Sequence, residues 1–192
     1  MGKGRLEAFS DAVIAIIITI MVLEFKVPHE SSLEALRPLT PIFFSYVLSF
    51  INVGIYWHNH HHLLHAVHRV NGRVLWANSH LLFWLSLIPF GTAWMGENHF
   101  TKLPVAVYGM ILFMAGFAYW ILTRSLITSH GQDSTIAIAT GKNFKEKISL
   151  VFYGLAILLA FLNAGLACGL YVLVAVMWFI PDRRIERSLT KE

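Results

Sequence analysis

Residues 148–180 read ISLVFYGLAILLAFLNAGLACGLYVLVAVMWFI, a run of 33 residues without a charged side chain. A membrane-spanning helix needs about 20 mostly apolar residues, and about 17 is a lower limit. One span cannot use the whole run unless it is steeply tilted. Asn163-Ala164-Gly165 lies at its middle and supplies turn chemistry. The run therefore reads as a tight hairpin of two short helices, 148–163 and 166–180. The alternative is a single, very long, tilted helix.

Upstream, apolar runs cover about 8–25, 41–57 with a helical extension to about 68, 74–95 and 103–122. With the hairpin this predicts an all-α, polytopic membrane protein with six transmembrane helices, residues 1–192 forming one domain. Six spans put both termini on the side of the second and fourth loops. Lys3, Arg5, Arg69, Arg73, Arg124, Lys142, Lys145, Lys147, Arg183, Arg184, Arg187 and Lys191 then share that side, twelve of the fifteen Lys and Arg. Lys26, Arg37 and Lys102 lie on the other. The positive-inside rule makes the richer side, with both termini, cytoplasmic. Five spans would move residues 183–191 outside and weaken this asymmetry.

Composition agrees. Hydrophobic residues make up 56% of the 192 and charged residues 14%, against about 25% charged in soluble domains. Such a surface excludes a disordered chain and argues against a cytosolic enzyme. The net charge of +4 fits basic cytoplasmic loops, so no nucleic-acid partner is expected. Cys168 is the single cysteine, so no intrachain disulfide forms. Lys3 and Arg5 precede an apolar stretch as in a signal peptide, but Asp11 interrupts it and no small-residue cleavage site follows; a retained first helix is expected. Trp57, Trp76, Trp94, Trp120 and Trp178 fall near span ends, as in an aromatic belt. Residues 129–134 read as a loop, and 134–147 could hold a short interfacial helix.

Ionisable or strongly polar groups within spans are costly and point to function. Three places qualify. Residues 5–11, Arg-Leu-Glu-Ala-Phe-Ser-Asp, begin the first helix. Ser10 or Asp11 could cap it, or the segment could form a buried polar cluster. Arg5 and Asp11 are six apart and do not share a helix face, so buried partners would come from other helices. Residues 57–68 hold six of the ten histidines. His58/His62 and His61/His65 have i,i+4 spacing, which makes His58, His62 and His65 weak metal candidates. No Cys, Asp or Glu accompanies them. The bland reading is hydrogen bonding within the bundle, or titration near 6.5. The third place is Asn78, with His80 nearby, an amide suited to bonding across helices. Further along the first helix, Ile16, Ile20 and Leu23 share a face that Thr19 borders. All sides there are apolar, so periodicity does not separate a core stripe from a pore lining.

Arg5-x-x-x-Phe9-Ser10-Asp11 resembles the signature of the transmembrane protein 175 potassium channels. Trp57-His58-Asn59-His60-His61 ending the second helix, and Asn78 followed by Ile88-Pro89-Phe90 in the third, resemble further family features in the same order. The resemblance implies a potassium-preferring cation channel without a TVGYG filter, in the single-repeat prokaryotic form that assembles as a homotetramer; animal members carry two repeats. It implies a pore lined by four first helices, with Ile16 as filter and gate, Ile20 and Leu23 on the same face, and Thr19 as a polar layer. Arg5, Phe9, Ser10, Asp11, Trp57, His60, His61 and Asn78 would form a structural network that holds the first helix. K+ and other monovalent cations and the lipid bilayer of a prokaryotic plasma membrane are the expected partners, with no cofactor.

A ring of isoleucines can stop conduction by dewetting. Potassium sheds water more readily than sodium, so such a neck favours it modestly. The extra His58, His62, His65 and His68 depart from the pattern and raise metal or proton modulation. A proton- or cation-coupled transporter using Asp11 and the histidines is the runner-up. A metalloenzyme would need a carboxylate or nucleophile beside the histidines, and none is there, so no enzyme is expected.

Overall fold

A computed structural model describes residues 2–67, 70–131 and 144–179. Regular structure among the described residues is all helical. Helix α1 covers Lys3–Leu23. A short 3-10 helix, Leu33–Leu39, leads into α2, Thr40–His65. Then follow α3, Gly72–Ser86, and α4, Ile88–Glu97. Helix α5 spans Lys102–His130, α6 Phe144–Leu162 and α7 Ala164–Phe179.

The chargeless run turns where its sequence says it should. Asn163 Oδ1 accepts from the N–H groups of Gly165 at 2.9 Å and Leu166 at 3.2 Å. That caps α7 and satisfies donors that the end of α6 cannot. A single long helix is thereby excluded. The third predicted span is in fact two helices. Pro89 lacks an N–H and its ring crowds the carbonyl four residues back, so α3 ends at Ser86 and α4 resumes at Ile88. With α3 and α4 counted as one kinked element, the described residues form six helical segments of a multi-pass membrane protein. The stretches Lys3–Leu23, Leu33–His65, Gly72–Glu97 and Lys102–His130 are long and apolar enough to span. Helices α6 and α7, at 19 and 16 residues, are shorter.

Contacts at the two ends fix the up-and-down order. At one end Lys3 Nζ donates to the His65 carbonyl (3.1 Å) and Asn71 Nδ2 to Ser129 Oγ (2.8 Å). At the other, Lys26 pairs with Glu97 at 3.6 Å and Phe25 meets Phe43 and Tyr46 edge-on. The described residues Lys3, Arg5, Arg73, Arg124, Lys145 and Lys147 belong to the first end, Lys26, Arg37 and Lys102 to the second. His68, Arg69, Lys142, Arg183, Arg184, Arg187 and Lys191 lie outside the described residues, as do 134–143 of the expected interfacial helix; 144–147 open α6.

Helix α5 is the hub, packed against α3, α4, α6 and α7, with Val105, Tyr108, Leu112, Ala115, Leu122 and Leu126 buried. Gly109 lets it approach α7, because a Cβ there would collide with the Tyr171 hydroxyl. That hydroxyl donates to the Val105 carbonyl at 3.0 Å. Helix α1 is peripheral and packs chiefly on α2, α3 and α4.

Candidate functional site along the first helix

Helix α1 has two unlike faces. Leu6, Ser10, Ile14, Ile17 and Met21, at spacings of three and four, are buried against the bundle. On the opposite side Ile16 is 56% exposed, Ile20 42% and Leu23 79%. Phe9 and Thr19 are also exposed there, and Arg5 heads the stripe. The ambiguity left by periodicity is thus resolved for one chain: Ile16, Ile20 and Leu23 are not its core. The Thr19 hydroxyl donates to the Ile16 carbonyl (2.9 Å) and the Ala15 carbonyl (3.1 Å), so it stays hydrogen-bonded while its oxygen borders the exposed face.

Behind this face a polar relay fastens α1. Ser10, fully buried, donates to the Leu6 carbonyl at 2.8 Å and accepts from Asn78 Nδ2 at 2.9 Å. Asn78 Oδ1 meets His60 Nε2 at 2.7 Å. Because the Asn78 amide nitrogen is committed to Ser10, its oxygen is the acceptor, and His60 must carry its proton on Nε2. Three helices, α1, α2 and α3, are joined through side chains that are nearly fully buried. Each group has its partner, so the relay avoids the cost of a bare buried donor.

A second, more exposed tie lies beside it. Trp57 Nε1 donates to Asp11 Oδ1 at 3.0 Å. His61 stacks on Trp57 and on His65, each with ring centroids 6.1 Å apart. His61 therefore supports Trp57 by stacking and does not join the buried relay. Arg5 has no side-chain hydrogen bond or ion pair within the chain among the described residues. Of the expected network, Ser10, Asn78 and His60 form one unit and Asp11 and Trp57 another; Arg5, Phe9 and His61 stand outside both. Ser10 is no helix cap, since α1 starts at Lys3.

The histidine run forms pairs. His58 Nε2 and His62 Nε2 hydrogen-bond at 2.9 Å. Among the described residues no three His, Cys, Asp or Glu side chains converge as a metal site would require. His80 accepts from Trp84 Nε1 at 2.9 Å and takes no part in the relay.

Two polar features escaped sequence reasoning. Ser49, Thr92 and Tyr108 bond in series, Thr92 Oγ1 to Ser49 Oγ at 2.6 Å and Ser49 to the Tyr108 hydroxyl at 2.9 Å, joining α2, α4 and α5. Glu146 is buried at the start of α6. Its position in Lys145-Glu146-Lys147 reads as a solvated charge run; the signal available was Ser149, three residues on, which puts both on one helix face.

Comparison with known proteins adds relationships. Residues 5–89 match the model of the family described as endosomal/lysosomal potassium channel TMEM175. A potassium channel from Chryseobacterium sp. is 56% identical over 189 residues, covering 98% of each chain. One from Streptomyces collinus is 31% identical over 92% of this chain and 91% of its own. The fold superposes with a TM-score of 0.80 on the crystal structure of a lysosomal potassium-selective channel TMEM175 homolog from Chamaesiphon minutus, at 27% identity, over 93% of this chain and 96% of the other.

Proposed function

Because this chain belongs to the TMEM175 family, a family of channels and not of enzymes, we propose that it conducts potassium in preference to other monovalent cations, as a homotetramer with α1 lining the pore. The whole chain acts as one six-crossing transmembrane domain in a prokaryotic plasma membrane, with both termini cytoplasmic. Ile16 forms the constriction, Thr19 a polar layer beside it, and Ile20 and Leu23 continue the apolar neck.

The observation that carries this reading is the two-faced character of α1. One face is sealed onto its own bundle, while the Ile16–Ile20–Leu23 face is open and headed by Arg5, which has no side-chain partner among the described residues. A lipid-facing stripe accounts for exposed isoleucines. Arg5, ahead of the apolar span on the same stripe, sits where water, lipid headgroups or a partner subunit meet its guanidinium. Four such faces about an axis enclose a narrow apolar neck, which gates by dewetting and favours the ion that sheds water more readily. The Ser10–Asn78–His60 relay and the Asp11–Trp57 bond hold α1 in orientation; they are supports and not the filter.

Ion flux in proteoliposomes under a potassium or a sodium gradient tests the reading. The expected result is large, uncoupled flux that is greater for potassium, from a purified complex of four chains. Saturable, gradient-coupled exchange would make the protein a carrier.

A further inference from the structure

A cavity of about 30 Å³ lies between α2, α5, α6 and α7, away from the exposed face of α1. Its polar lining includes Tyr56, Asn59, Tyr119, Glu146, Ser149 and Tyr153. One water needs about 10–15 Å³ on this measure, so there is room for one or two. Glu146 is 8% exposed, and its Oε2 has no hydrogen-bond partner. It makes no ion pair among the described residues.

Three of the neighbouring donors are spent elsewhere. Trp178 Nε1 donates to Ser149 Oγ (2.9 Å), Ser149 donates to the Lys145 carbonyl (2.7 Å), and Asn59 Nδ2 donates to the Ile55 carbonyl (2.7 Å). The Tyr119 hydroxyl, 3.4 Å from the Asn59 carbonyl, is loosely held, and Tyr56 and Tyr153 add hydroxyls to the lining. An ionised carboxylate with one oxygen unpartnered in such a place is costly, and neutralising it by a proton relieves that cost.

We propose that Glu146 and this cavity form a proton-binding site, in which the carboxylate takes a proton from solvent and the resulting acid hydrogen-bonds to one or two enclosed waters. Glu146 precedes the apolar run that begins at Ile148, so the site sits at the membrane boundary on the Lys- and Arg-rich end of the bundle. Among the described residues, the titratable and charged groups around it are Arg124 and Tyr119 from α5, Tyr56 from α2, and Lys145, Lys147 and Tyr153 from α6; α7 adds the uncharged Ala175 and Trp178. Burial pushes the Glu146 carboxyl up to about 7, against Arg124 and the Thr123 hydroxyl, which favour the charged form. The site is separate from the α1 face and does not depend on which ion that face passes.

Infrared difference spectroscopy of the full chain in liposomes, titrated from acid to alkaline pH, tests the proposal. A carboxylic-acid C=O band should disappear with a midpoint near 7, and Trp178 fluorescence should follow the same midpoint. Both signals should be absent in Glu146→Gln, and Glu146→Asp should shift the band. A band that titrates unchanged in Glu146→Gln, or a wild type whose carboxyls all ionise in the ordinary range, overturns the site. So does a carboxylate that stays ionised throughout with a spectrum that follows sodium or potassium concentration, because that is a cation site. The wild-type titration decides alone if a variant does not assemble.

Discussion

His60 Nε2 and Asn78 Oδ1 lie 2.7 Å apart inside the bundle, and through the Asn78 amide this pair reaches Ser10 on the first helix. The helix proposed to line the pore is thus positioned by hydrogen bonds that meet neither ion nor solvent. Neutral, fully paired groups give direction without a charge to desolvate.

Cutting this relay should loosen the protein before it changes what is conducted. Asn78→Ala strands the His60 N–H, at a cost of about 1–3 kcal/mol. Ser10→Ala strands one buried Asn78 N–H and breaks a single link, also within about 1–3 kcal/mol. Thermal unfolding in detergent should show both losses, with Asn78→Ala the larger, while the potassium-to-sodium flux ratio of surviving protein stays that of wild type. A well-assembled variant with altered selectivity would place the relay in the filter.

Arg5 behaves differently. It heads the exposed stripe and has no side-chain partner among the described residues, so in the proposed tetramer its contribution belongs to the assembly. Arg5→Ala should leave the melting of separated protomers unchanged and shift native mass spectra from tetramer towards smaller species. Equal destabilisation of the separated protomer would contradict this.

Gly109→Ala should destabilise by about 1–3 kcal/mol through overpacking, because its Cβ would strike the Tyr171 hydroxyl. Gly154→Ala is the control. Its Cβ meets only Phe113 Cε2, at 3.9 Å, an ordinary contact. The two melting curves should separate clearly in the same detergent.

The buried Glu146 gives stability a pH dependence of definite sign. Its carboxyl is raised in the folded state from 4.5 to about 7, so between those values the folded chain holds more protons than the unfolded one. Stability therefore falls as pH rises through this window. The shift corresponds to on the order of 3 kcal/mol lost by alkaline pH. Glu146→Gln should melt higher than wild type at pH above 7, and the difference should shrink in acid. A pH-independent difference would assign the effect to packing alone.

Much of this arrangement was legible in the residues, and the failures have physical causes. The hairpin was readable because Asn163 offers a capping oxygen inside a run that is otherwise featureless. The break in the third span was less so: Pro89 announces a kink but not whether two helices remain separate. Helix α5 runs eight residues beyond the expected end at 122 because Thr123, Ser125, Thr128 and Ser129 hide their hydroxyls on carbonyls four residues back. Composition alone sees six polar residues among these eight and ends the span. For the site, Ser10, Asp11, Trp57, His60 and Asn78 could all be named, yet their pairing could not. Partner choice depends on the rotation of three packed helices, which places Ser10 toward Asn78 and Asp11 toward Trp57. Glu146 was hidden by its lysine neighbours, which point the segment to solvent in any one-dimensional reading.

The most direct test of the central claim is the potassium and sodium flux of Ile16→Asn beside wild type in proteoliposomes. An amide in the apolar neck should keep it wet, so total flux should rise and the potassium-to-sodium ratio should fall towards one. Flux and ratio identical to wild type, in a fully assembled variant, would remove Ile16 from the pore and with it the account of α1 as the conducting helix.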